Sequence, residues 1–197
     1  MGQNALPAGT VTLLFTDVEG STKLLRALGE ADYAKALAEH RLVLRAAFGR
    51  HGGVEVDTQG DAFFVAFAAA PDALAAASEA RAALEGRPIR VRMGLHTGTP
   101  LVTEHGYVGV DVHRAARIAA AGHGGQVLVS AATAGFVVGQ GVPLLDLGEH
   151  RLKDLGVPER IFQLGDGAFA PLNTLSASNL PVPATPFLGR QRELESL

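Results

Sequence analysis

An α+β domain is the fold class that three features of this sequence predict. Short apolar runs of strand type alternate with Ala- and Leu-rich stretches whose apolar positions recur at helical spacing. Glycine-containing breakers separate these stretches and give each predicted element a defined end. Hydrophobic residues make up 47% of the 197 positions, so one main domain can bury a sizeable core.

The first half of the chain predicts a βαββαβ order. Its first run, Val11–Phe15, is too apolar for an edge strand, and a Leu-rich helix follows it. A second helix ends at the breaker His51–Gly53, and the next two strands can pair as a hairpin through Thr58–Gly60. Pro71 opens a further helix. The predicted strands cover residues 10–16, 54–57, 62–67 and 89–96, and the helices begin near residues 22, 31 and 71.

That order is the order of a ferredoxin-like core, to which the second half of the chain adds C-terminal strands and helices. Ser130 is suited to cap a short helix, and Gly122–Gly125 ends the longer helix before it. No Lys-Ser or Lys-Thr pair follows these glycines, so they do not form a P-loop. The added elements are strands at 101–103, 126–129, 144–152 and 160–164 and a helix at 109–121.

Two aspartates are predicted to meet at one edge of the sheet. Asp17 ends the first strand, and the turn Gly20-Ser21-Thr22 then opens a helix whose free N–H groups suit a phosphate. Asp61 starts the third strand, which is an antiparallel neighbour of the first in a ferredoxin-like core. The pair can hold one or two Mg²⁺ or Mn²⁺ ions. The alternative makes Asp17 a helix cap and Asp61 a turn residue. Ser21 or Thr22 can also cap the helix that follows.

Basic side chains in the second half of the chain are candidate phosphate ligands. Arg114 and Arg117 lie on one predicted helix, and a guanidinium suits a phosphate by charge and geometry, although an exposed helix face explains Arg114 better. His113 is a candidate donor to a ribose or phosphate, or a surface histidine. Lys153 can contact a terminal phosphate or protect an edge strand. His96 lies in an alternating strand and is expected in the core.

Five short blocks follow one another along the chain: Phe15–Thr22, Gln59–Asp61, Gly94–Gly98, Val112–Arg117 and Arg151–Lys153. Together, and in this order, they resemble the catalytic domain of class III adenylate and guanylate cyclases. We therefore expect a class III cyclase domain over residues 7–165.

The resemblance implies a two-metal site. In the family's pattern Asp17 and Asp61 bind two Mg²⁺ or Mn²⁺ ions with the carbonyl of Val18, and ATP or GTP becomes a 3′,5′-cyclic monophosphate and pyrophosphate. One ion activates the ribose 3′-hydroxyl, and the other holds the triphosphate. Arg117 matches the transition-state arginine, and Lys153 matches the phosphate-binding lysine. Family sites form between head-to-tail subunits, which implies a homodimer with two equivalent sites.

The residues that should read the base depart from the family's pattern. The adenine-reading lysine falls on Asp57, its partner acid falls at or near Gly106 beside Tyr107, and the ribose-orienting asparagine falls on His113. An aspartate repels the lone pair of adenine N1, whereas guanine offers N1–H and N2–H donors to a carboxylate. The substitution therefore favours GTP slightly.

Two other interpretations of the sequence compete with an active cyclase. The departures at positions 57, 106 and 113 favour a catalytically weak or inactive cyclase-like regulatory module, which binds nucleotide and signals to a following domain. The other reading, an interaction domain with a ferredoxin-like fold, requires the order of the five blocks to be coincidence.

Composition and the chain's end set further expectations. The net charge of −3 without a basic block gives no sign of nucleic-acid binding, and the absence of cysteine excludes thiolate metal sites. The sequence has no apolar run of about 18 residues and no signal peptide, so we expect a cytoplasmic protein without a membrane partner. Residues 166–186 have linker composition, and 187–197 look like the start of a STAND/AAA-type ATPase domain.

Overall fold

Residues 5–174 are described by a computed structural model, and they contain five helices and nine strands. No helix within this range combines the length and the apolar character needed to cross a bilayer. In chain order the elements are β1 (Val11–Val18), α1 (Ser21–Leu28), α2 (Glu30–Arg50), β2 (Val54–Gln59), β3 (Ala62–Phe67), α3 (Ala70–Ala83), β4 (Val91–Gly98), β5 (Leu101–Thr103), β6 (Gly106–Val108), α4 (Val110–Ala121), β7 (Val127–Ser130), α5 (Ala131–Gly135), β8 (Leu144–His150) and β9 (Glu159–Leu164).

Seven of the strands form one sheet in the order β2-β3-β1-β4-β7-β9-β8. Strand β1 lies between β3 and β4 and is antiparallel to both, whereas β4 and β7 are parallel. Strands β5 and β6 pair separately as a short hairpin. The α+β class and the ferredoxin-like βαββαβ core are thus confirmed, including the pairing of the first and third strands that brings their ends together.

Two local predictions need correction. Neither Ser21 nor Thr22 caps helix α1, because the helix starts at Ser21 and its N-cap is Gly20, which has a left-handed backbone and no side chain to accept a bond. Strand β6 was not predicted, because three residues beginning with a glycine are too few to show an alternating pattern. The Ser130 cap is confirmed, since its hydroxyl accepts a hydrogen bond from the amide of Thr133.

The main core lies between the sheet and helices α2 and α3. Helix α3 is rich in alanine because it packs closely against its neighbours: Ala73, Ala76, Ala77 and Ala80 are all fully buried. Larger side chains from β1, β3 and β4 fill the space above these alanines. Burial of such apolar surface is the dominant contribution to stability in a domain of this size.

Helix α4 packs on the opposite face of the sheet, directly over the backbone of β4. A Cβ atom on Gly94 would lie 2.2 Å from the backbone nitrogen of Ala119, and a Cβ on Gly98 would lie 2.3 Å from the carboxylate of Asp111. Alternate residues of a strand share one face, so these two glycines leave that face of β4 without side chains where the helix packs. The glycines in the block Gly94–Gly98 therefore set the distance between α4 and the sheet.

A buried polar network fixes the start of α4 to β4. His96 lies on the same face as Gly94, as predicted for a core histidine, and only 3% of it is exposed. Its Nδ1 is 2.9 Å from the Ser130 hydroxyl, and its Nε2 is 3.2 Å from the carboxylate of Asp111. Burial lowers the pKa of His96, and this effect outweighs the hydrogen bond and charge of Asp111, which raise it. A buried Ser130 hydroxyl is closed to substrates, so the three residues serve structure.

Residues 166–174, the first part of the predicted linker, lie against the domain. The amide of Asn173 donates to the carbonyl of Ala121 at the end of α4 at 2.9 Å. Leu172 packs on a buried cluster that includes Ile118. The rest of the predicted linker, 175–186, and the predicted ATPase segment, 187–197, lie outside the described residues, so both boundaries stay predictions.

The close approach of α4 to β4 predicts a large effect of a single methyl group. Gly94→Ala forces α4 away from the sheet, since the clash is with backbone atoms that cannot rotate aside. We expect the free energy of unfolding to fall by about 3 kcal/mol, measured by urea denaturation. Gly135→Ala is the matched control, because a Cβ there meets nothing within 4 Å. An unchanged midpoint for Gly94→Ala would contradict the packing described.

Candidate functional site

Asp17 lies at the end of β1, where its carboxylate is half-exposed and paired with Arg92. The Arg92 Nε donates to Asp17 Oδ2 at 3.0 Å, and its Nη2 donates to the same oxygen. Arg92 also donates from Nη1 to the carbonyl of Ala120 in α4 at 3.0 Å. The guanidinium therefore joins the tip of β1 to the end of α4, on the face of the sheet that α4 covers.

The tip of β1 extends beyond its pairing with β3. The ladder between the two strands ends at Thr16 and Phe63, whereas β1 continues to Val18. Continuing the register places Asp17 opposite Ala62 and Val18 opposite Asp61. The end of β1 is therefore adjacent to the β2–β3 turn, and Asp61 lies in that turn, outside the strand itself. The meeting of the two carboxylates stays a prediction.

Side chains of helix α2 support the turn that contains Asp61. Arg41 donates from Nη2 to the carbonyl of Gly60 at 2.5 Å. Burial raises the pKa of Tyr33, and the charge of Asp61 raises it further, while Arg41 and a hydrogen bond with Ser21 lower it. Tyr33 is therefore a shared neighbour of Asp61, a predicted metal ligand, and Ser21, a predicted phosphate ligand.

The start of α1 provides unpaired backbone donors next to Asp17. The first amides of an α-helix, here those of Ser21 and Thr22, have no acceptor within the helix, and no side chain caps them. Gly20 adopts φ 66°, a left-handed conformation that lets the chain turn sharply from β1 into the helix. This is the geometry that favours an anion at a helix N-terminus.

The turn after Val18 is attached to the end of α4 through Glu19. One carboxylate oxygen of Glu19 accepts the amide of Gly124 at 3.0 Å, and the other lies 3.3 Å from Nδ1 of His123. The Gly124 hydrogen bond lowers the pKa of Glu19 most, and His123 lowers it further. His123 Nε2 is 3.0 Å from the carbonyl of Pro171.

The candidate phosphate ligands of the second half lie on α4 and in the loop after β8. Arg117 donates from Nη2 to Asp154 Oδ2 at 2.5 Å, and Lys153 is the exposed residue before this aspartate. Lys153 lies three residues beyond the end of the edge strand β8 and is not part of any strand in the described chain. His113 is exposed on α4.

Arg114 does not lie on an exposed helix face, as the spacing had suggested. Its guanidinium is 3.2 Å from Asp111 and 3.2 Å from Glu159, and less than a quarter of the side chain is exposed. Glu159 lies on β9, whose pairing with β7 could not be foreseen from helix periodicity. Arg114 therefore holds α4 in place, and Arg117 is the arginine that points towards the loop after β8.

Of the three candidate base-reading residues, Asp57 lies on β2, and Gly106 and Tyr107 lie on β6, whose start packs against β2. A bulge in β2 places Asp57 opposite Phe64, and the ring of Phe64 is 6.1 Å from that of Tyr107. A Cβ on Gly106 would be 3.0 Å from the side chain of Val56. Asp57 is exposed, but the Tyr107 hydroxyl donates to the carbonyl of Pro7 at 2.6 Å.

The chain as a whole is similar to known proteins. The adenylate and guanylate cyclase catalytic domain matches residues 4–164, which is most of the chain. The chain belongs to this cyclase family. An uncharacterized protein of Mycobacterium tuberculosis is 42% identical over 95% of this chain and 70% of its own length. An adenylate cyclase of Podospora anserina is 30% identical over 80% of this chain but only 10% of its own length.

Solved structures confirm the fold of the cyclase domain. A Trypanosoma brucei adenylate cyclase, described in its monomeric state, superposes with a TM-score of 0.79 at 27% identity, covering 87% of this chain and 97% of that one. The guanylate cyclase domain of a Catenaria anguillulae protein in complex with GTP superposes with a TM-score of 0.72 at 22% identity, covering 82% and 98%. The second likeness supports the fold alone.

Asp17, Asp61 and the carbonyl of Val18 offer oxygen atoms of the kind that bind divalent cations. Within residues 5–174, no group of three or more His, Asp or Glu side chains converges on one point. Hard cations nevertheless accept carboxylate and carbonyl oxygens and keep positions open for phosphate. Asp17 is already held beside a guanidinium, which shows that its carboxylate accommodates a positive charge. The donors at Asp17, Val18 and Asp61 are thus chemically suited to such an ion.

Sequence reasoning missed Arg92, Glu19 and Asp154 at this site. Arg92 could have been found from strand pairing, because antiparallel neighbours place it directly opposite Asp17. Glu19 and Asp154 gave no comparable signal, since their partners lie about a hundred and about forty residues away. Such loop contacts depend on the packing of α4 and not on any local pattern.

Proposed function

We propose that the domain converts a purine nucleoside triphosphate, ATP or GTP, to its 3′,5′-cyclic monophosphate and pyrophosphate. The observation that carries the proposal is the strand order β3-β1-β4, which sets Asp17 and the turn of Asp61 at one sheet edge beside the free amides of α1. The family match over residues 4–164 supports it.

The residues at this edge divide into metal and phosphate ligands. Asp17, Asp61 and the carbonyl of Val18 would hold two Mg²⁺ or Mn²⁺ ions. When bound, these ions supply the charge that favours deprotonation of the ribose 3′-hydroxyl and neutralises the triphosphate. The amides of Gly20–Thr22 would donate to phosphate oxygens, since a helix N-terminus favours negative charge.

Helix α4 and the loop after β8 provide the cations of the second half of the site. Arg117 would stabilise the charge that develops on the α-phosphate during cyclisation, and Lys153 would bind the terminal phosphate. His113, exposed on the same helix, would donate to the ribose or a phosphate. Cations placed where charge develops contribute most when water is excluded, which a dimer interface would achieve.

We place these two halves on different protomers of a head-to-tail homodimer. Exposed apolar side chains on the β5–β6 hairpin and at the start of α4 support a covered surface near the site: Leu101 is 68% exposed, Val108 56% and Val110 57%. A twofold dimer uses the same surface on both subunits and creates two equivalent sites.

The base preference that we propose is GTP over ATP, and it rests on Asp57. Its carboxylate accepts the amide of Thr58 and the side chain of Gln59, both at 2.8 Å, and its remaining lone pairs can accept N–H groups of guanine. Adenine offers an N1 lone pair that an ionised carboxylate repels. Gly106, packed against β2 beside Asp57, would bound the base pocket.

A nucleotide-binding regulatory module is the second candidate. It is favoured by the bond of the Tyr107 hydroxyl to Pro7 and by the His113 at the ribose position. Such a module would bind the same nucleotide without efficient turnover and signal to a following ATPase domain.

A product assay separates these two functions. We expect the chain, with Mn²⁺ and GTP or ATP, to form cyclic nucleotide and pyrophosphate, and Asp61→Ala to lower the rate by about a hundredfold or more. Asp72→Ala, an exposed carboxylate at the start of α3, is the control and should retain the rate. No product above the Asp61→Ala background, at concentrations that drive dimerisation, would refute the cyclase. Nucleotide binding without product would then support the regulatory module.

Base preference gives a second prediction. Asp57→Lys replaces an acceptor with a donor, so we expect the ratio of kcat/KM for ATP to that for GTP to rise about tenfold or more. Asp72→Lys makes the same change in charge away from the hairpin and should leave the ratio unaltered. A ratio that does not respond to Asp57→Lys would exclude this residue from base recognition.

A further inference from the structure

The guanidinium of Arg117 is already bound to an anion of its own chain. Its Nη2 is 2.5 Å from Oδ2 of Asp154, and the pair is partly exposed, at 38% for Arg117 and 62% for Asp154. Asp154 thus contacts Arg117 through its carboxylate and directly follows Lys153 in the chain, and the proposed function assigns phosphate binding to both of these cations.

The backbone around Asp154 is held in an unfavourable conformation. Among the described residues, Asp154 is the one non-glycine residue with a positive φ, at 63°. It is the third residue of a turn closed by a hydrogen bond from the Leu155 amide to the Leu152 carbonyl at 3.3 Å. Turns with a positive φ at this place normally carry Gly or Asn, because a Cβ is strained there.

The backbone of the turn is also anchored, which keeps Asp154 close to Arg117 while its exposed carboxylate can still rotate away. Leu152 is 2% exposed and belongs to the buried cluster that contains Ile118, the residue after Arg117 on α4. The turn and the helix therefore share one packed interface. An ordinary exposed ion pair on flexible side chains contributes little and needs no strained backbone. Here the strain is retained in a turn that presents a carboxylate to Arg117.

We propose that Asp154 is an internal anion that occupies Arg117 until a phosphate group of the nucleotide displaces it. This inference rests on the proposed function in that Arg117 and Lys153 are taken as phosphate ligands. Asp154 acts through Arg117 and is therefore a positioning residue. It reduces the charge that the loop and helix offer to an incoming phosphate, and it keeps the guanidinium oriented towards the loop when no nucleotide is bound.

The kind of ligand that can displace Asp154 from Arg117 follows from this competition. A guanidinium binds a carboxylate and a phosphate oxygen with the same fork of N–H groups, so the two ligands exclude each other at one edge of the group. A polyphosphate carries several negative charges and contacts Arg117 and Lys153 together, which a single carboxylate cannot. The exchange moves no covalent bond and requires only that the ion pair open.

Asp154→Asn is the variant that isolates the charge. Asparagine tolerates the left-handed backbone at least as well as aspartate, so the turn is retained while the anion is lost. The probe is inorganic tripolyphosphate in the presence of a chelator, because without divalent ions the binding reports on the basic residues. We expect calorimetry on the full chain to show about threefold to fivefold tighter binding for Asp154→Asn than for wild type.

Two matched controls separate competition from a general change in surface charge. Asp146→Asn removes the acid of another exposed arginine–aspartate pair, with Arg160 on β9, and should leave the affinity unchanged. In an Arg117→Gln background, Asp154→Asn should lose most of its effect, because the group for which the two anions compete is absent. In the cyclase assay, Asp154→Asn should lower KM for the nucleotide without lowering kcat.

The tripolyphosphate and cyclase measurements test the role of Asp154 and the proposed function separately. Equal or weaker tripolyphosphate binding by Asp154→Asn would overturn the proposal, and so would the absence of binding in both proteins or an effect that survives in Arg117→Gln. Tighter binding together with a chain that forms no cyclic nucleotide would refute the proposed function and leave the role of Asp154 standing.

Discussion

The contact between helix α4 and the backbone of β4 is the constraint on which the site depends. Gly94 and Gly98 leave no side chain between the helix and the strand, and α4 consequently lies at backbone distance from the sheet. That distance lets Arg92 reach from Asp17 to the carbonyl of Ala120. It also brings the loop after α4 within reach of Glu19 in the turn after β1. The acidic tip of β1 and the basic face of α4 are thereby parts of one rigid unit.

The site is assembled from charges that already have partners within the chain. Asp17 is paired with Arg92, Arg117 with Asp154, and Glu19 with the amide of Gly124. Unpaired charges in partly buried positions would cost free energy, so internal partners stabilise the protein without substrate. In the proposed site, metal ions and phosphates would therefore bind by exchange, and the net gain on binding would be a difference between two sets of ionic contacts.

The strand order, which puts the end of β1 beside the β2–β3 turn, could be predicted from the sequence. Hydrophobic alternation and glycine breakers are local signals, and the βαββαβ order has few topologies. Arg114 was misplaced and Asp154 was missed for a common reason. Their environments depend on Glu159 and Arg117, which the fold brings together from distant parts of the chain. The cap of α1 was misassigned because a left-handed Gly20 replaces a side-chain cap. A positive φ at an aspartate has no sequence signal.

The central claim is that Asp17 and Asp61 of one protomer act with Arg117 of the other. Coexpressed Asp61→Ala and Arg117→Ala chains test it most directly, by the cyclic nucleotide that they form. Heterodimers then contain one intact site of two, so random pairing should restore about a quarter of the wild-type activity, although each variant alone is inactive. Coexpressed Asp61→Ala and Asp17→Ala chains, both altered in the metal half, should stay inactive. Failure of the first pair to regain activity would contradict a site shared between subunits.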